Sequence, residues 1–131
     1  SGGLGYARDA DLPTKRQRAV KAAVGLADSI PDAALVVFTR SGATAHQAAL
    51  LRPRGPIYAF TPDTRVCRGL SLSRGVRPFV IPFQEKPRET IAGAITTLRN
   101  RRDIPAGTPL VIFSDTFQVE KAVDSILLEH A

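Results

Sequence analysis

ALVVFTRSGATA, residues 34–45, is the stretch whose reading decides the fold. Ala34 to Thr39 is a continuous apolar run rich in β-branched side chains, the pattern of a strand buried on both faces of a parallel sheet. Ser41-Gly42 turns the chain, and an Ala-rich helix follows from about Ala43 to Leu51, ended by Arg52-Pro53. Strand, glycine turn and helix in immediate succession form the first half of a βαβ crossover.

The same alternation continues on either side. Upstream, Thr14-Lys15-Arg16-Gln17 reads as a capping box opening a helix over 14–30, with Val20, Ala23, Val24, Ala27 and Ile30 on one face. Downstream, residues 56–60 form a second strand. Thr61 and Pro62 then serve as N-cap and first residue of a short helix. A third strand is expected over 76–83, a helix over 87–102 with Ile91, Ala94, Ile95 and Leu98 inward, a fourth strand over 110–113 and a fifth over 125–128. The last two strands are separated by about a dozen residues without helical periodicity, so the fifth is expected as an antiparallel edge. The fold class is therefore α/β: a three-layer sandwich around a five-stranded, mostly parallel sheet. No repeat, low-complexity stretch or second domain is visible.

At 131 residues the chain has the size of one ordinary domain, with 44% hydrophobic and 23% charged residues. No apolar run reaches the ~18–20 residues of a helical membrane span, so no membrane partner is expected. The lone Cys67 cannot form an internal disulfide, and a reducing, cytoplasmic location is the default. Methionine is absent and the chain begins Ser1-Gly2-Gly3, so residues 1–13 read as a tag scar or linker, residues 14–131 as the domain, and the whole as a piece of something longer. The net charge of +6 is uneven: residues 40–77 carry seven arginines against Asp63 alone, whereas residues 115–131 carry Asp115, Glu120, Asp124 and Glu129 against Lys121. A basic middle suits an anionic ligand or partner. Nucleic acid is not expected, because aromatic residues are few and no nucleic-acid motif is present.

Ligands of open α/β sheets bind beyond the carboxyl ends of the strands. There the chain reads Thr39-Arg40-Ser41-Gly42-Ala43-Thr44, a phosphate cradle in its parts: a glycine free to take unusual backbone angles, helix-start amides, three hydroxyls and a cation. Catalytic constellations are missing. His46 reads as a partly buried structural residue, His130 as an exposed one and Cys67 as packing; no metal-ligand spacing, nucleophile elbow or Gly-rich P-loop occurs.

The residues also carry a family likeness. Thr39, Ser41-Gly42, Thr44-Ala45, Arg52-Pro53, Pro56-Ile57, Ala59, Thr61, Arg68, Leu70, Leu72, Gly75-Val76 and Pro78 together resemble the C-terminal α/β domain of pyruvate kinase. The likeness runs from about Gln17 to Ala131 and is weaker after Phe83. It implies an α/β sandwich with a five-stranded mixed sheet, serving as a regulatory and assembly module without catalytic residues. Catalysis, with its Mg²⁺ and K⁺, would then belong to a barrel domain of a parent protein, with no cofactor in this chain. By the same resemblance Thr39, Arg40, Ser41, Gly42, Ala43 and Thr44 form the loop that grips a phosphate of a sugar effector. Arg88 is a candidate second contact, and the partners are a phosphorylated small molecule, further copies of the chain and the barrel. The family's Gly-rich closing loop is here Asp115 to Ala122, which has no glycine and two acids. Carboxylates there repel phosphate, which disfavours fructose 1,6-bisphosphate and leaves a monophosphate, sulfate or nucleotide phosphate. Two other readings stand beside this one: a free-standing sensor of a phosphorylated metabolite, and a small phosphate-handling hydrolase relying on Cys67 and His46.

Overall fold

A computed structural model describes the backbone of residues 2–114 and 125–131, and the side chains of 14–114 and 126–131. The order is α1 (Gly2–Ser29), β1 (Ala34–Phe38), α2 (Ala43–Leu50), β2 (Ile57–Thr61), α3 (Thr64–Leu70), β3 (Val76–Val80), α4 (Pro87–Arg99), β4 (Pro109–Ser114) and β5 (Ser125–His130). The sheet runs β3-β2-β1-β4-β5. β1 pairs in parallel with β2 and β4, β3 continues parallel to β2, and β5 closes the far edge antiparallel to β4. The expected architecture is thus the observed one, antiparallel edge included.

All five residues of β1 are buried, and their alternation divides the core in two. Leu35 and Val37 join Ile57, Ala59, Val111 and Phe113 beneath Val20, Ala23 and Val24 of α1, Ala45 and Ala48 of α2 and Leu70 of α3. Ala34, Val36 and Phe38 join Tyr58, Phe60, Leu110 and Ile112 beneath Ala94 and Leu98 of α4. Three helices therefore cover one face and a single helix covers the other.

The helix-poor face is completed by aromatic rings and guanidinium groups. Phe79 stacks on Phe60 with centroids 5.1 Å apart and meets the Tyr58 ring edge-on at 6.1 Å. Arg77 lies 5.6 Å above the Tyr58 ring and Arg101 lies 5.5 Å above Phe79. Asp103 accepts hydrogen bonds from both cations, with Arg101 forking onto its two oxygens at 3.1 Å. The two guanidinium groups hold the Asp103 carboxyl well below the usual carboxylate range, the bond from Arg101 acting most strongly.

Several local expectations are corrected. α1 begins at Gly2, so helical backbone covers residues 2–13 and Thr14 is an exposed interior residue, not an N-cap. A capping box is a local preference of about 1 kcal/mol, and a continuing backbone ladder overrides it. The third helix starts on Asp63, whose carboxylate accepts from the Arg65 N–H at 2.8 Å, and not on Thr61. Thr61 is committed to the β2–β3 ladder opposite Val80, fully buried, and its Oγ1 accepts from the Asp63 N–H at 3.2 Å. β3 ends at Val80, short of 83, because its partner β2 ends at Thr61, the residue opposite Val80, whose carbonyl accepts from the Ile81 N–H at 3.1 Å. α4 ends at Arg99 with Asn100 as C-cap, short of 102.

Two measurements check this packing. A Cβ on Gly55 would fall 2.1 Å from the Ala33 carbonyl oxygen, whereas one on Gly25 in α1 meets nothing within 4 Å. Gly55→Ala is expected to lower stability in urea by about 1–3 kcal/mol, and Gly25→Ala to raise it by about 0.5–1 kcal/mol. The depressed Asp103 pKa makes its contribution complete above the unfolded carboxylate value and lost as pH falls toward the folded one. Asp103→Asn should therefore lower Tm at pH 7, with the gap to the parent protein narrowing below about pH 4 as the parent's carboxylate protonates.

Candidate functional site

The turn after β1 is held by its own side chains. Thr39 is buried, and its Oγ1 accepts from the Gly42 N–H at 2.7 Å. The exposed Ser41 accepts from the Ala43 N–H at 3.3 Å through Oγ. Gly42 is the N-cap of α2 at φ 96°, ψ −7°, a left-handed conformation that strains any side-chain-bearing residue. The space around it is ordinary: a Cβ there would lie 3.5 Å from Val66 and 3.6 Å from Leu70, so backbone angle and not crowding selects glycine. Gly42 itself offers no side-chain acceptor, the Ala43 N–H is met by Ser41, and the positive end of the α2 dipole stands at the strand end. Such a junction favours an anion on general electrostatic grounds.

The six residues expected at this loop divide. Ser41 and Gly42 line an open cleft of about 510 Å³, and Ala43 and Thr44 do not. Thr39 and Thr44 are buried, with relative exposures of 5% and 3%, and Ala43 is exposed. Arg40 is exposed, and its guanidinium lies 5.0 Å above the Phe83 ring on the α4 side of the sheet, whereas the cleft opens toward α3. Arg88 sits exposed in the first turn of α4 and is not part of the cleft lining. Thr90, beside it, is buried, with its Oγ1 accepting from the Gln84 N–H at 2.7 Å. The loop 115–122 lies outside the described residues.

His46 was expected to be partly buried in the helix; it is exposed and lines the cleft. It follows Gly42 by four residues, one helical turn, and therefore shares the face that opens toward α3. Asp63 and Arg65 enter the same cleft, and sequence reasoning did not single them out for it. Their carboxylate and guanidinium approach to 3.8 Å, so part of the arginine's charge is already met. The available signal was Asp63 itself, as good an N-cap as Thr61. Cys67 is half-buried on α3, in keeping with packing. Among the described residues no three His, Cys, Asp or Glu side chains gather as a metal site would require.

The family model for the pyruvate kinase alpha/beta domain matches residues 17–127. Pyruvate kinase 2 of Synechocystis sp. is 30% identical over 118 residues, covering 88% of this chain and 20% of that protein. Plastidial pyruvate kinase 2 of Arabidopsis thaliana is 38% identical over 77 residues, covering 59% of this chain and 13% of the relative. The crystal structure of pyruvate kinase from Pyrobaculum aerophilum superposes with a TM-score of 0.69 at 32% identity, covering 87% of this chain and 23% of that one. The matches thus span between 13% and 23% of the length of these relatives.

The loop's internal bonding generates a stability test. Thr39→Val removes the acceptor for the buried Gly42 N–H, and the loss is expected to be about 1–3 kcal/mol by chemical denaturation. Thr39→Ser keeps the oxygen and should recover most of that loss.

Proposed function

The chain belongs to the pyruvate kinase alpha/beta domain family, and from that premise we propose that it is the regulatory and oligomerisation domain of a longer pyruvate kinase, with a phosphate-binding effector loop at residues 39–44. The observation that carries the reading is the Gly42 junction: a strand end, a left-handed glycine and a helix start whose N-cap residue has no side chain. In this reading a phosphate docks against the first-turn amides of α2 and the Ser41 hydroxyl, while Thr39 fixes the turn from below. Arg40 adds long-range attraction from its perch on Phe83, and Arg88 stands at the same end of the sheet. Phosphoryl transfer from phosphoenolpyruvate to ADP, with Mg²⁺ and K⁺, belongs to the barrel domain of the longer protein and is not expected of this chain alone.

The assembly half of the proposal is supported by β5. It is an edge strand, and Ile126, Leu127 and Leu128 are 36%, 39% and 60% exposed. An edge unpaired among the described residues, with three consecutive large apolar side chains, is a ready surface for a second copy.

Two experiments check these statements. Inorganic phosphate titrated into the labelled protein should shift the amide signals of residues 41–45 with an affinity on the order of 1 mM, since a single phosphate gains little beyond its binding costs. Ser41→Asp should abolish those shifts by placing a carboxylate in the loop, and Arg40→Ala should weaken them without removing them. Shifts clustering elsewhere, or surviving Ser41→Asp, would make the loop only a turn. Sedimentation should show at least a dimer at high micromolar concentration, moving toward monomer in Leu128→Lys; a strict monomer counts against the assembly role.

A further inference from the structure

The opposite end of the sheet carries a second concentration of positive charge. α2 runs back to the N-terminal ends of the strands and stops at Leu50, and the chain re-enters the sheet through Arg52-Pro53-Arg54-Gly55-Pro56. α3 runs back likewise, and Ser73-Arg74-Gly75 leads into β3. Between these two returns lies a cleft of about 420 Å³, lined by Ala49, Arg52, Pro53, Ile57 and Arg74 together with Gly55 and Gly75. Both lips are fixed by backbone in the left-handed region: Arg52 at φ 50° and Gly75 at φ 80°. Arg52 is further fixed by its N–H donating to the Ala49 carbonyl at 3.0 Å and by the ring of Pro53 that follows.

Several arginines elsewhere in the molecule are already engaged. Arg77 and Arg101 share Asp103, Arg65 faces Asp63, and Arg40 rests on Phe83. Arg52 and Arg74 have neither carboxylate nor aromatic partner among the described residues, and no acid lines their cleft. Arg52 and Arg74 are exposed, and two guanidinium groups on one cleft, with apolar walls at Ala49, Pro53 and Ile57, concentrate positive potential there. The planar forks of arginine suit the oxygens of a phosphate, and two cations match the two charges of a phosphomonoester better than the one charge of a diester. A cleft of this volume is of small-molecule size.

We propose that the cleft between the end of α2 and the turn into β3 is a second anion site, binding the phosphate of a small phosphomonoester through Arg52 and Arg74, separate from the residue 39–44 loop at the other end of the strands. The test uses the whole chain, with inorganic phosphate as the probe at pH 7.5 and ionic strength held constant with sodium chloride. The Gly55 and Gly75 amides and the Arg52 and Arg74 Nε–H signals should shift saturably. Arg74→Gln and Arg52→Gln should each weaken that response about tenfold, with unchanged circular dichroism. The response should persist in Ser41→Asp, which separates this site from the effector loop: one can fail while the other stands. Dimethyl phosphate, a monoanion, should bind about tenfold more weakly. The proposal is overturned if the shifts do not saturate, if chloride alone reproduces them, if both arginine variants bind as the parent does, or if dimethyl phosphate binds equally well.

Discussion

β1 is buried on both faces, and the other layers are arranged to keep it so. Leu35 and Val37 need cover on one side, and Ala34, Val36 and Phe38 on the other. A strand in that position cannot lie at an edge, and it pairs in parallel with β2 and β4. Parallel pairing demands crossovers, and the crossovers supply the helices that cover the faces. The strand's end is equally constrained. Phe38 closes the core, Thr39 remains buried and spends its hydroxyl on the Gly42 amide, and the chain must turn through a left-handed residue to enter α2. The candidate effector loop is thus a direct consequence of the central strand's burial.

The uneven cover of the sheet explains much of the arginine content. Three helices lie on one face, while on the other α4 stands alone and the β2–β3 side is closed by Tyr58, Phe60 and Phe79 under two guanidinium groups. Arginine suits this place because its apolar, planar head covers a ring while its edge still reaches Asp103. The net charge of +6 is therefore not one field. Part of it is structural and met by Asp103 or by rings, and part stands at the two ends of the sheet, where ligands could use it.

The fold was legible in the sequence because its signals are short-range and strong. The five strands, the helices between them and the antiparallel last strand all follow from apolar runs, period and connection length. Element starts were less legible. Thr14-x-x-Gln17 and Thr61-Pro62 are good helix openers, yet backbone continuity overrode the first and strand register the second. Register is a property of two strands, so one strand's composition does not announce it.

By itself the sequence determined the βαβ order, the family and the glycine at residue 42, each written in contiguous or regularly spaced residues. Only the tertiary structure decided which charges are used. It laid Arg40 on Phe83, turned His46, Asp63 and Arg65 into the cleft beside the loop, tied Arg77 and Arg101 to Asp103, and left Arg52 and Arg74 together on a cleft without an acid. The reason is physical. Apolar periodicity is enforced by burial along one element, whereas a long charged side chain finds its partner across elements, where position is set by packing and not by neighbours in sequence.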